Sequence, residues 1–189
     1  KVAEEFALLD LLSEGRAQLS VGRGYDAREY IAFGVDFAES QEIFFEGLEV
    51  IKKAWSLETS SHEGLHYSYP EITVLPRPVQ QPYPPIYVAC FSEPTLRHAA
   101  RSGFDVIFAP FAAAMMFGSL QNAVTEFKNE SEAAGHVGRK AMCSYFVNVT
   151  SNERETVETK ERLLHYFHGI LPAFPADRAT APPHIRYFV

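Results

Sequence analysis

Four short, mainly apolar runs, separated by stretches with helical spacing, set the strongest limit on how this chain folds. The runs are 16–22 (RAQLSVG), 86–90 (IYVAC), 105–109 (DVIFA) and 142–149 (MCSYFVNV). A strand that is apolar on both faces is buried between two layers, which is the habit of parallel sheets. Parallel strands need crossovers, and the intervening segments read as helices. Val2, Phe6, Leu8, Leu9 and Leu12 recur at helical spacing, with Gly15 as a left-handed stop. Asp36 and Glu39 fit a capping box for a helix over 38–55, which would bury Ile43, Phe44, Leu48, Ile51 and Trp55. Ser92 opens a helix to Arg101, with Pro94 in the first turn where a missing amide does no harm. A long helix is expected over 112–134 and another, capped by Asn152, over 153–170.

Strands alternating with helices imply a helix-covered parallel sheet, either doubly wound or a segment of a (β/α)8 barrel. A complete barrel typically needs about 250 residues, and the 189 residues here hold only four such strands. Lys1 opens directly into a helical pattern, so the chain reads as an interior piece forming one partial domain over 1–189. Residues 56–85 carry Pro70, Pro76, Pro78, Pro82, Pro84 and Pro85, which deny them a helix, and they read as an excursion containing a hairpin. The Pro- and Ala-rich stretch 171–189 reads as a loop.

Composition excludes several classes. A net charge of −7, with basic residues scattered, argues against a nucleic-acid surface, which needs a concentrated basic patch. No apolar stretch approaches the roughly 18–20 residues that span a bilayer. Cys90 and Cys143 lie in separate apolar runs and are expected as two buried thiols, without metal-type spacing. His165 and His168 stand one turn apart without a visible third ligand, so no metal is expected.

Two places carry candidate chemistry. Gly22-Arg23-Gly24-Tyr25-Asp26-Ala27 matches the dinucleotide pattern G-x-G-x-x-G/A after a strand. That pattern also needs a second strand ending in an acidic residue about 20 positions on, and here that distance falls on Glu42–Glu46 inside a helix. The glycines therefore read as a tight turn or as a functional loop at a strand's carboxyl end. Ser92-Glu93-Pro94-Thr95 opens a helix, where free amides attract anions and two hydroxyls one turn apart add donors. The plain alternative is an ordinary serine cap.

Several segments together resemble the bacterial luciferase-like flavin monooxygenases. They are 3–24 (AEEFALLDLLSEGRAQLSVGRG), 30–34 (YIAFG), the VIKKAW helix end, 75–89 (LPRPVQQPYPPIYVA) and 99–110 (AARSGFDVIFAP). The resemblance runs to about Gly169. It implies a (β/α)8 barrel fragment covering about strands four to seven. It also implies binding of reduced FMN, or the deazaflavin F420, at the strands' carboxyl ends. The flavin phosphate would be held by Arg23, Ser92 and Thr95, with Phe91 contributing its backbone. A second phosphate-binding arginine of the luciferases is replaced by Gln41, and their reactive cysteine by Gly22. The family's catalytic histidine belongs to an early loop outside this alignment.

The function implied is a flavin-dependent monooxygenase acting with oxygen on a small organic substrate. A flavin reductase would supply the reduced flavin, in a cytoplasmic protein with a dimer as its candidate assembly. An F420-dependent hydride-transfer enzyme and a non-catalytic partner subunit like the luciferase β chain are the alternatives.

Overall fold

The computed structural model describes residues 1–24 and 26–170; the expected 171–189 loop lies outside them. The first half of the chain runs α1 (Val2–Leu12), β1 (Leu19–Val21), α2 (Ala27–Phe33), α3 (Ser40–Ser56), β2 (Ser60–Glu63), β3 (Ser68–Ile72) and β4 (Ile86–Cys90). The second half runs α4 (Glu93–Arg101), β5 (Asp105–Phe108), α5 (Pro110–Phe117), α6 (Leu120–Ala133), β6 (Ala141–Cys143) and α7 (Glu153–Ile170). Two compact units result. Among the described residues, one comprises Lys1–Arg23 and Gly34–Ala89, and the other the described part of 24–33 together with 90–170.

In the first unit, β1 and β4 pair in parallel, Leu19 opposite Ile86 and Val21 opposite Val88. The β4 run is apolar because Ile86, Tyr87 and Val88 are all buried. Helix α3 buries Phe45, Leu48, Ala54 and Trp55. Trp55 donates its indole N–H to the Ala3 carbonyl on α1 at 2.8 Å. The buried face is thus turned by one residue from the one expected. Phe45 takes the place of Phe44, while Ile43 and Ile51 are only half-buried.

The expected capping box does not form. The Asp36 carboxylate accepts the Ala38 amide at 2.8 Å, and α3 begins at Ser40 with no side-chain bond from Glu39. Asp competes for nearby amides and builds a local turn, and that turn delays the helix by two residues.

The excursion after α3 contains the antiparallel β2–β3 hairpin, with a register irregularity between Ser60 and His62. Its return path is tied down twice. The Arg77 guanidinium donates to the carbonyls of Ala54 (3.4 Å), Trp55 (2.9 Å) and Leu57, satisfying orphan acceptors at the end of α3. Gln80 donates its amide and side-chain nitrogen to the fully buried Asp10 carboxylate at 2.9 and 2.7 Å. The same Gln80 Nε2 reaches the Ala17 carbonyl at 2.7 Å, so one residue joins α1, the approach to β1 and the excursion.

In the second unit, α2 was not expected from the spacing. Asp26 accepts the Arg28 amide at 2.9 Å to start it, and Gly34 lies just past its end. Strands β5 and β6 pair in parallel, Val106 opposite Ala141 and Phe108 opposite Cys143. The strand expected over 142–149 stops at Cys143, after one more bond from the Ser144 amide to the Phe108 carbonyl. Beyond Phe108 the β5 chain turns into α5 at Pro110, so β6 loses its partner. Tyr145, Phe146, Val147 and Val149 are then exposed despite their strand-like sequence.

The single helix expected over 112–134 is two. Gly118 adopts a left-handed φ of 79°, and Ser119 restarts the helix by accepting the Asn122 amide at 3.0 Å. Leu96, Ala99 and Ala100 on α4, and Ala123 and Phe127 on α6, are buried. Both cysteines are free and Cys90 is buried, as expected, but Cys143 is exposed because its strand ends there. Among the described residues no helix is long and apolar enough to cross a membrane.

Candidate functional site

The hydroxyl pair expected from the sequence is assembled. Residue Ser92 follows β4 by two positions in an extended conformation, with φ −149° and ψ 152°, and caps α4. Its Oγ lies 2.9 Å from Thr95 Oγ1 and accepts the Thr95 amide at a long 3.5 Å. One hydroxyl proton is spent inside the pair, which leaves one for a further acceptor. Pro94 has no amide to offer, so the backbone donor of this first turn is the Glu93 N–H.

An acidic side chain in the first turn would repel an anion, but Glu93 is engaged by Arg97 Nη2 at 2.6 Å. Phe91, half-buried, leads into the turn. The arrangement suits a phosphate oxygen: hydroxyl donors, an amide and the positive end of the helix dipole.

Arg23 belongs to the other compact unit. It stands two residues beyond β1, as Ser92 stands two beyond β4, and these strands are parallel. Its guanidinium donates to Ser40 Oγ at 3.4 Å and lies 4.9 Å from the centre of the Phe37 ring. Ser40 Oγ in turn donates to the Phe37 carbonyl at 2.6 Å, so the loop before α3 braces the arginine. Two glycines make the bend around it: Gly24 has a φ of +85°, and a Cβ on Gly22 would meet Ala89 Cβ at 3.4 Å. The dinucleotide-like glycines are therefore turn residues. The structure joins Ser92 with Thr95, while Arg23 is held by its own loop. Gln41 sits half-buried in the first turn of α3, in the unit that holds Arg23.

Sequence spacing did not reveal a second polar cluster in the first unit. His62 lies between Lys53 and Glu46, each 3.0 Å from one of its ring nitrogens. Glu46 also accepts the amides of His66 (3.0 Å) and Tyr67 (2.9 Å). Burial pushes the Glu46 carboxyl up, but those amides and the imidazole outweigh it and hold the group below its ordinary value. The only trace in the sequence is helical spacing, with Glu42, Glu46 and Lys53 at i, i+4 and i+11. His165 and His168 are exposed on α7, and among the described residues no group of three or more His, Cys, Asp or Glu is placed to hold a metal ion.

A family profile described as luciferase-like monooxygenase matches residues 1–185. The chain belongs to the luciferase-like monooxygenases. Relatives within reach include the oxygenase component of a flavin-dependent trigonelline monooxygenase from Acinetobacter baylyi. It is 32% identical over 112 residues, or 58% of this chain and 31% of that protein. An F420-dependent glucose-6-phosphate dehydrogenase from Kineococcus radiotolerans is 40% identical over 105 residues, covering 54% of this chain and 30% of the relative. Among solved structures, the monooxygenase RslO1 from Streptomyces bottropensis superposes with a TM-score of 0.79 at 26% identity, over 91% of this chain and 53% of RslO1. The matches thus span about a third of these curated relatives and about half of that solved neighbour. The expected fold class, an α/β barrel fragment with parallel strands and outer helices, stands.

Proposed function

We propose that this luciferase-like chain is the phosphate-gripping part of a flavin-dependent monooxygenase that uses reduced FMN and oxygen on a small organic substrate. The observation that carries the reading is the Ser92–Thr95 hydroxyl pair at 2.9 Å on the first turn of a helix that follows a parallel strand. Glu93 at that turn is drawn aside by Arg97, which it shares with Glu126 and Glu130, so its charge is offset only in part. The Phe91 backbone, which leads into this turn, would border the phosphate, and the family resemblance makes Arg23 a further candidate phosphate ligand. When bound, the flavin supplies the redox chemistry, while the protein binds, orients and shields it. Here Ser92 and Thr95 would fix the phosphate end, and Arg23 is held against its own loop by Ser40 and Phe37. A flavin reductase is the partner this reading requires, and the cytoplasm its compartment.

A second reading, an F420-dependent oxidoreductase, is favoured by the 40% identity to the Kineococcus dehydrogenase. Calorimetric titration of the intact protein with reduced FMN and with F420 separates the two. We expect FMN to bind at least about tenfold tighter, a difference of about 1.4 kcal/mol. Tighter F420 binding selects the second reading. Failure of both ligands to bind makes the chain a partner subunit instead.

A further inference from the structure

The proposed function makes no use of the polar cluster that fastens the β2–β3 hairpin to α3. Five titratable side chains meet there. Glu42, Glu46 and Lys53 come from α3, His62 from β2 and His66 from the turn. Tyr69 of β3 stacks on His62 with ring centroids 6.0 Å apart, and its hydroxyl lies 3.4 Å from Ser60 Oγ. The neighbouring Lys52 pairs with Glu49 at 3.1 Å. Gly64 is what lets the hairpin come so close, since a Cβ there would lie 1.9 Å from Glu46 Oε1.

The distances fix the proton. A lysine ammonium only donates, so Lys53 Nζ at 3.0 Å from His62 Nδ1 requires a lone pair on that nitrogen. The ring proton must then sit on Nε2, where it is donated to Glu46 Oε1 at 3.0 Å. A neutral imidazole therefore bridges a cation and an anion. An imidazolium carries a proton on both nitrogens and cannot accept from Lys53, and two cations at that distance repel. Its bond to Glu46, by contrast, becomes a bond between two full opposite charges. His66 shows the complementary situation. Its Nε2 is buried without a hydrogen-bond partner, 3.7 Å from Glu42 Oε2. A proton there turns an idle approach into an ion pair.

We propose that this cluster is a proton-operated clasp: His62 exchanges the Lys53 ammonium for a proton of its own, His66 recruits Glu42, and Glu46 keeps the hairpin on α3 in both states. Protonation of the two imidazoles releases the Lys53 side chain to solvent and leaves the hairpin in place. The hairpin lets go only when Glu46 takes a proton.

The test is NMR on the intact protein carrying 15N-histidine and labelled lysine. At pH 8, His62 should show the Nε2-protonated tautomer. The Lys53 Nζ signal should change with the same midpoint as His62, while hairpin amides stay protected down to pH 5.5. Lys53→Met should raise the His62 midpoint by about 0.5–1 unit, because a nearby cation disfavours the charged ring. Glu42→Gln should lower the His66 midpoint and leave His62 unmoved. An Nδ1-protonated His62 at pH 8 would overturn the proposal. So would a His62 midpoint indifferent to Lys53→Met, a His66 midpoint indifferent to Glu42→Gln, or hairpin amides that open between pH 8 and 5.5.

Discussion

Replacing Asp10 should destabilise this protein more than its position at the end of a surface helix indicates. The carboxylate is fully buried and accepts two bonds from Gln80, at 2.9 and 2.7 Å. Hydrogen bonds to a charged group are worth about 1.5–3 kcal/mol each, and a buried donor stripped of its acceptor costs about 1–3 kcal/mol. In Asp10→Ala the Gln80 side chain keeps the Ala17 carbonyl at 2.7 Å, but its backbone amide is orphaned. The expected loss is therefore about 3–5 kcal/mol, a large part of the roughly 5–15 kcal/mol that holds a domain together. Asp10→Asn keeps the shape and one acceptor but turns an amide toward the other donor, so it should lose about half as much. Urea unfolding of the intact protein measures both, with the midpoint falling and the slope unchanged. An Asp10→Asn variant as stable as the parent, or an Asp10→Ala loss under about 1 kcal/mol, would refute the reasoning.

Other outcomes follow from the same geometry. Gly64→Ala drives a methyl into Glu46, so limited proteolysis should cut the hairpin near Leu65 far faster than in the parent; equal rates would contradict the contact. Burial pushes the Cys90 thiol up to about 12, so at pH 8 a thiol reagent should modify exposed Cys143 at once and Cys90 only on unfolding. Glu46 has a folded value held below its ordinary 4.5, so its stabilisation is present above that value and is lost as pH falls through the lower one. Glu46→Gln should therefore be less stable than the parent at pH 7, with the gap closing in acid. A gap that widens on acidification would reverse the sign.

What was legible in the sequence is what local pattern controls. Ile86–Cys90 and Asp105–Phe108 read as buried parallel strands because they are apolar on both faces, and they form such strands. The stretches that carried the family resemblance, with Asp10 in one and Arg77 and Gln80 in another, prove to be fastenings of the excursion. Their role needed partners up to 70 positions away. The run 142–149 misled because a strand also needs a neighbour, and β5 ends at Phe108. The break at Gly118–Ser119 was written in the residues, but the Ala- and Met-rich helical run around it masked the stop. The Ser92–Thr95 pair was legible because an N-cap and a residue three positions on must face each other. The His62–Glu46 contact was not, since it joins a hairpin to a helix across 16 positions.

The central claim, that this chain grips a flavin phosphate, is tested most directly by comparing FMN with riboflavin, which lacks the phosphate. In the intact protein, Arg23→Ala should weaken FMN binding roughly 10- to 100-fold, a loss of about 1.4–2.7 kcal/mol, and leave riboflavin binding unchanged. Equal losses for the two ligands would contradict the claim, and would leave Arg23 as a brace of its own loop through Ser40 and Phe37.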